Sequence, residues 1–258
     1  MMPSLFIAHG APTLAIESNA YTAFLQELAG KIQKPKAIVL FSAHWESGVQ
    51  AVGGAEQYET IYDFGGFPDE MYQIKYPARG DMEIAREVAS LFAAKGIPSR
   101  IDENRGLDHG SWVVLRLLYP QAEIPVIALS VNRQLTNEQQ YRIGSALASL
   151  REQDILIVGS GGTVHNLRRV SWGAEKADDW ALRFDDWLKE KLEAWDTEAL
   201  FQYETQAPFA QEAVPPYGNE HFVPLLLAMG AADATRKASL LYRSFQYGSL
   251  SLSCWQFD

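Results

Sequence analysis

Short apolar runs alternate along the chain with longer stretches whose apolar residues recur at helical spacing. Residues 4–8, 36–43 (KAIVLFSA), 125–131 (PVIALSV) and 154–159 (DILIVG) read as buried strands, and 49–53 (VQAVG) as a further one. Helical periodicity covers 19–30, with Ser18 or Asn19 as N-cap, and 81–95, with Asp81 near its start and Gly96 at its end. Further helices are predicted at 111–118, from Asn137 to about 150, at 178–194 and at 221–229. Residues 238–246 and 249–256 alternate as a hairpin through Tyr247-Gly248. This order predicts an α/β fold: a single-domain α/β/α sandwich around a mixed, largely parallel sheet, with the C-terminal hairpin supplying antiparallel strands. With no repeat, low-complexity tract or linker, residues 1–258 read as one domain.

Two segments interrupt the alternation. Residues 54–80 are aromatic-rich, and residues 202–220 contain three prolines. Unstructured connections of this length in a compact domain are usually functional or disordered, and the aromatics argue against disorder. They suit a wall for a flat apolar ligand, or a cover for a sheet edge. Tyr58, Tyr62, Phe64, Phe67 and Tyr217 are candidate lining residues; Arg100, Arg105 and Arg168 are candidate partners for a substrate carboxylate.

Composition narrows the classes. The chain is 47% hydrophobic and 21% charged, with a net charge of −10. That charge disfavours nucleic acid and anionic membrane surfaces as partners. The single cysteine, Cys254, excludes an intrachain disulfide and a cysteine-rich zinc site. No apolar stretch reaches the ~18–20 residues of a membrane span, and the N-terminal apolar run is short and lacks a basic n-region. A cytoplasmic protein is expected. The sequence carries no signal for an oligomeric state.

The chemistry lies in the placement of the five histidines. His9, His44 and His165 each follow a strand-like run, where open α/β sheets bind ligands. Adjacent strand tips about 4.8 Å apart would bring His9 and His44 to one metal. His221, beside Glu220, opens an apolar helix, and either residue can complete a three-ligand site. Two histidines and a carboxylate suit Fe(II) and O₂; three histidines suit catalytic zinc. His165 follows a glycine run that can bring backbone close to a ligand, and reads as an acid/base or a fourth ligand. His109 follows Asp108, which either orients it or caps the next helix. Ser111 and Ser160 lack a nucleophile-elbow context.

The blocks His9-Gly-Ala-Pro12, SAHWE (Ser42 to Glu46), YDFGGFP (Tyr62 to Pro68), GLDHGSW (Gly106 to Trp112), GSGGTVHNL (Gly159 to Leu167) and Glu220-His221-Phe222 together resemble the class III extradiol ring-cleavage dioxygenases. The likeness is to the DOPA 4,5-dioxygenase branch of the LigB-like superfamily, and it spans residues 9 to about 225. The resemblance implies one divalent metal ion on His9, His44 and His221, with Glu220 as rival third ligand. It implies His165 as catalytic acid/base and His109 as a second active-site histidine. Fe(II) would serve ring cleavage, and Zn(II) is expected in the isolated protein. The implied substrates are a small aromatic diol, such as DOPA, and O₂, giving a semialdehyde product. A zinc-dependent hydrolase on the same scaffold and a metal-free binding protein of a related fold are the competing readings.

Overall fold

Each buried apolar run becomes a strand of one sheet in the computed structural model, which describes residues 1–174 and 176–258. The strands are β1 (Ser4–Ala8), β2 (Ala37–Glu46), β3 (Gln50–Gly53), β4 (Ser99–Asp102), β5 (Val126–Val131), β6 (Ile155–Gly161), β7 (Ala238–Tyr242), β8 (Phe245–Gln246), β9 (Leu250–Ser251) and β10 (Cys254–Phe257). Eight of them form a sheet in the order β4-β3-β5-β2-β6-β1-β10-β7. The central β5, β2, β6 and β1 are mutually parallel, while β10 and β3 run antiparallel to their inner neighbours. Strands covered on both faces need apolar residues at every position, which is why β5 and β6 read as unbroken apolar runs.

The helices are α1 (Ala20–Lys31), α2 (Met82–Ala94), α3 (His109–Leu118), α4 (Asn137–Ala146), α5 (Asp179–Glu193), α6 (Thr197–Phe201), α7 (Tyr203–Gln206), α8 (Ala210–Ala213) and α9 (Val223–Gly230). Leu5, Ile38, Ala128 and Val158 on one sheet face pack with Tyr21 and Leu25 of α1 and Trp112 of α3. On the other face Val39, Phe41, Leu129 and Ile157 pack with Phe92 of α2, Ile143 of α4 and Leu227 of α9. The result is the expected three-layer α/β sandwich. Local signals set the helix starts. Asn19 forms a capping box with Thr22, Asp81 accepts from the Glu83 and Ile84 amides, and Gly96 stops α2 at positive φ.

The expected strand boundaries need small shifts, and three features differ more. Strand β4 was not expected: its sequence, SRID, is half-buried and pairs only at the sheet edge, so it lacks a run of apolar residues. The connection at 202–220 carries the short helices α7 and α8 rather than an irregular loop. The C-terminal hairpin is split. Its turn is as expected, with Tyr247 and Gly248 both at positive φ and the Ser249 amide donating to Gln246 O at 3.2 Å. But β7 pairs with β10 in the main sheet while β8 and β9 form a separate ribbon. Arg243, Ser251 and Ser253 at the break all turn to the buried Asp185 carboxylate of α5. Satisfying that buried charge draws these residues out of the ladder. No helix among the described residues is long and apolar enough to cross a membrane.

Candidate functional site

The carboxyl ends of the central strands carry the histidines. His9 directly follows β1, His44 lies near the end of β2, and His221 closes a 3-10 turn (Asn219–His221) that leads into α9. His44 Nε2 lies 3.1 Å from His9 Nε2 and 3.2 Å from His221 Nε2. Donor atoms of all three rings fall within 4.8 Å of one another. Imidazoles sharing an ion at ~2.1 Å have nitrogens ~3.0–3.4 Å apart, so the two measured edges fit a common divalent ion. His9 and His221 are buried and His44 is half-buried.

The route to this geometry differs from the expected one. Strands β1 and β2 are not neighbours, because β6 lies between them. The two imidazoles meet across β6, and the β2 backbone helps. Between Phe41 and Glu46, five steps along β2 correspond to two along β5, from Leu129 to Val131. A break of this kind re-aims side chains at the end of a strand. The glycines of β6 play a related part. A Cβ on Gly161 would lie 2.2 Å from His221 O, and one on Gly159 2.1 Å from Pro224 O. These glycines therefore admit the backbone of the 221–224 segment, not a ligand, and the Gly162 amide donates to His221 O at 2.8 Å.

Each converging ring is held from behind. His9 Nδ1 is 3.2 Å from Ser160 Oγ, which donates to Gly110 O. His221 Nδ1 is 3.1 Å from Glu220 Oε1, and Arg133 reaches Glu220 at 3.6 Å and Glu46 at 2.8 Å. Glu220 thus lies behind His221, outside the cluster of donor atoms. His44 Nδ1 is 3.5 Å from Asp63 Oδ2. Partners on the second ring nitrogen fix the tautomer of a metal-binding histidine and so complete the fit.

Two further histidines border the cluster. His165 stacks on His221, with ring centroids 3.5 Å apart and planes at 7°. His109, the first residue of α3, lies 4.0 Å from His44 between centroids. Burial, then repulsion from neighbouring rings, pushes His9 and His221 well below the usual imidazole range. Burial likewise takes His44 and His165 down to about 4. All four rings are neutral near pH 7, with lone pairs free for a metal or a proton.

The structure separates the remaining candidates. Asp108 does not orient His109; it caps α3 through the Ser111 amide and accepts from Ser42 Oγ at 2.6 Å. The carboxylate beside His109 is Asp63, which the sequence reasoning missed although it sits in the aromatic YDFGGFP block. Asp63 Oδ1 accepts the His109 backbone amide at 2.9 Å and lies 3.0 Å from His109 Nδ1. That second contact is short but off the line of the ring N–H, so Nδ1 has no well-directed hydrogen bond. Phe64 packs edge-on to His109 at 5.8 Å, and Tyr62, Phe67 and Tyr72 complete an aromatic wall around it. Tyr58 is buried in the core, its hydroxyl against Gly53. Arg105 bonds His44 O and Asp108, Arg100 is exposed beside Asp102, and Arg168 stacks on exposed Tyr217. Ser160 donates to Gly110 O and stands behind His9, while Ser111 donates to Asp108, so neither hydroxyl is paired with a histidine that a carboxylate backs, as a nucleophile would be.

Fold and site together define a metal-dependent α/β enzyme. The chain belongs to the family described as the catalytic LigB subunit of aromatic ring-opening dioxygenase, whose model matches residues 3–253. Among its relatives, the 4,5-DOPA dioxygenase extradiol of Beta vulgaris is 42% identical over 98% of this chain and 96% of its own length. The Escherichia coli protein of the same name is 36% identical over 97% of this chain and 93% of its own. A crystal structure of an uncharacterised Escherichia coli K12 protein matches with a TM-score of 0.84 and 33% identity, covering 100% of both chains.

Proposed function

We propose that the chain is an extradiol dioxygenase that opens the ring of a catechol such as DOPA, with Fe(II) on His9, His44 and His221. The observation that carries this reading is the meeting of three neutral imidazole nitrogens beside His165 and His109, under an aromatic wall. Fe(II) there supplies redox chemistry with O₂ and acidifies the substrate hydroxyls. The same nitrogens suit zinc, which ranks above Fe(II) in affinity, so isolated protein is expected to carry Zn(II).

The residues of the chain account for the remaining requirements. Phe64, Phe67 and Tyr72 offer flat apolar surface against which an aromatic ring can lie. His165 is neutral at pH 7, so a ring nitrogen can accept a hydroxyl proton and later return it. Its stack on His221 holds that nitrogen beside the metal ligands without occupying a ligand position. The Gly162 amide occupies the His221 carbonyl at 2.8 Å and so anchors the backbone that carries this imidazole.

The sequence from 1 to 258 acts as one catalytic domain in this reading. Its buried free thiol, Cys254, fits a reducing cytoplasm. The test is anaerobic Fe(II) loading followed by oxygen uptake over a panel of catechols that includes DOPA. Uptake dependent on both iron and catechol is expected; a loaded protein inert with the whole panel refutes the reading.

A further inference from the structure

Asp63 backs His44 and also touches His109, so one carboxylate stands between two histidines of the site. It lies in the segment between β3 and α2, in contact with the N-terminus of α3. Its two oxygens divide their contacts. Oδ1 accepts the His109 amide and lies 3.0 Å from His109 Nδ1, while Oδ2 lies 3.5 Å from His44 Nδ1. Among the described residues no other carboxylate pairs with either ring. Near pH 7 an aspartate carboxyl is ordinarily ionised. An ionised carboxylate has no proton to give, so any hydrogen bond it shares with an imidazole must use a ring N–H.

We propose that Asp63 is a positioning residue that sets the tautomers of His44 and His109 together, holding the proton of each ring on Nδ1. This rests on the proposed metal site. On His44 the consequence is a bare Nε2 aimed at His9 and His221. On His109 it is a bare Nε2 that accepts a proton or hydrogen bond from substrate and cannot donate one while neutral. The role of His109 then differs from that of a donor to an oxygen atom. The partner oxygen already lies 3.0 Å from His109 Nδ1, so a hydrogen bond there requires alignment of the ring N–H and no closer approach. One carboxylate thereby links a metal-facing ring to a substrate-facing ring, and moving either ring disturbs the other.

The test reads protons directly. Zinc-loaded protein labelled with ¹⁵N in its histidine rings is examined by long-range ¹H–¹⁵N spectra near pH 7. His44 and His109 should both show a protonated Nδ1, with an unprotonated Nε2 on His109. Zinc should bind at one equivalent per chain. In Asp63→Asn the side chain has one accepting oxygen and a donating amide, so at least one ring should move its proton to Nε2. Zinc affinity should fall by roughly 10–100-fold, the usual cost of losing a group behind a ligand. Asp63→Glu should restore the tautomers in part. A protonated Nε2 on His109 in the unsubstituted protein overturns the proposal, even if Asp63→Asn does not fold. So do unchanged tautomers in Asp63→Asn. A second zinc equivalent that vanishes with Asp63→Asn also overturns it, since His44, Asp63 and His109 would then hold a cation of their own. None of these readings needs turnover. Absence of oxygen uptake refutes the dioxygenase reading and leaves the tautomer result standing, and the reverse also holds.

Discussion

His165 lies face to face with His221, their rings 3.5 Å apart and within 7° of parallel. A ring stacked on a proposed ligand is close enough to serve a substrate bound at the metal, yet its nitrogens lie outside the cluster formed by His9, His44 and His221. Replacing His165 with alanine should therefore leave one metal per chain and lower turnover by roughly 10²–10⁴, the usual worth of a positioned acid/base. Metal analysis alongside steady-state rates checks both halves. Loss of metal in this variant would make His165 a ligand.

Glu220 and His221 are adjacent in sequence but stand at different depths. His221 Nε2 faces His44, whereas Glu220 faces His221 Nδ1 from the other side. His221→Ala should abolish stoichiometric metal binding. Glu220→Gln should weaken it by roughly 10–100-fold, as expected of a group that orients a ligand. Calorimetric titration with Zn(II) separates the two; equal loss in both would restore Glu220 as the third ligand.

Gly161 makes the close passage of the 221–224 segment possible. With a Cβ only 2.2 Å from His221 O, Gly161→Ala must push that carbonyl away. The expected cost is about 1–3 kcal/mol, as for overpacking elsewhere in protein interiors. Because the displaced atom belongs to His221, metal affinity should fall together with the denaturation midpoint. Unchanged affinity with lowered stability would separate the glycine from the site.

Strand order and glycine function show what was legible in the chain. His9, His44 and His165 were recognisable because each ends an apolar run, and the sheet brings such ends together. That β6 runs between β1 and β2 was not legible, because strand order is set by how whole elements pack and not by any one strand. The glycines of β6 were visible, but what they admit is backbone from residues about 60 positions further on. Asp63 went unread for a similar reason. Its partners are His44 and His109, and no local spacing joins the three. Strand β4 escaped because edge strands do not need an apolar run.

The metal-free protein should lose stability in acid. His9, His44, His165 and His221 titrate below the ordinary imidazole value when folded, chiefly through burial. Unfolded, they titrate near 6.5, so below that pH the unfolded chain binds protons that the native state refuses. Their contribution is present above pH 6.5 and is lost as pH falls toward about 4. Asp63, held at about 2, adds a second loss below the ordinary aspartate range. Urea midpoints measured in chelator should be level above pH 7 and decline below 6.5, with a shallower decline in His165→Gln. A midpoint constant to pH 4.5 would contradict the neutral, buried cluster.

An extradiol dioxygenase joins both atoms of O₂ to the ring it opens. The most direct measurement is ¹⁸O₂ labelling with the iron-loaded protein and DOPA, read by mass spectrometry of the product. One O₂ should be consumed per catechol, with both labelled atoms in a ring-opened semialdehyde acid before exchange of the aldehyde oxygen with water. An intact ring, or O₂ reduced to hydrogen peroxide with no label in the product, would contradict the dioxygenase reading.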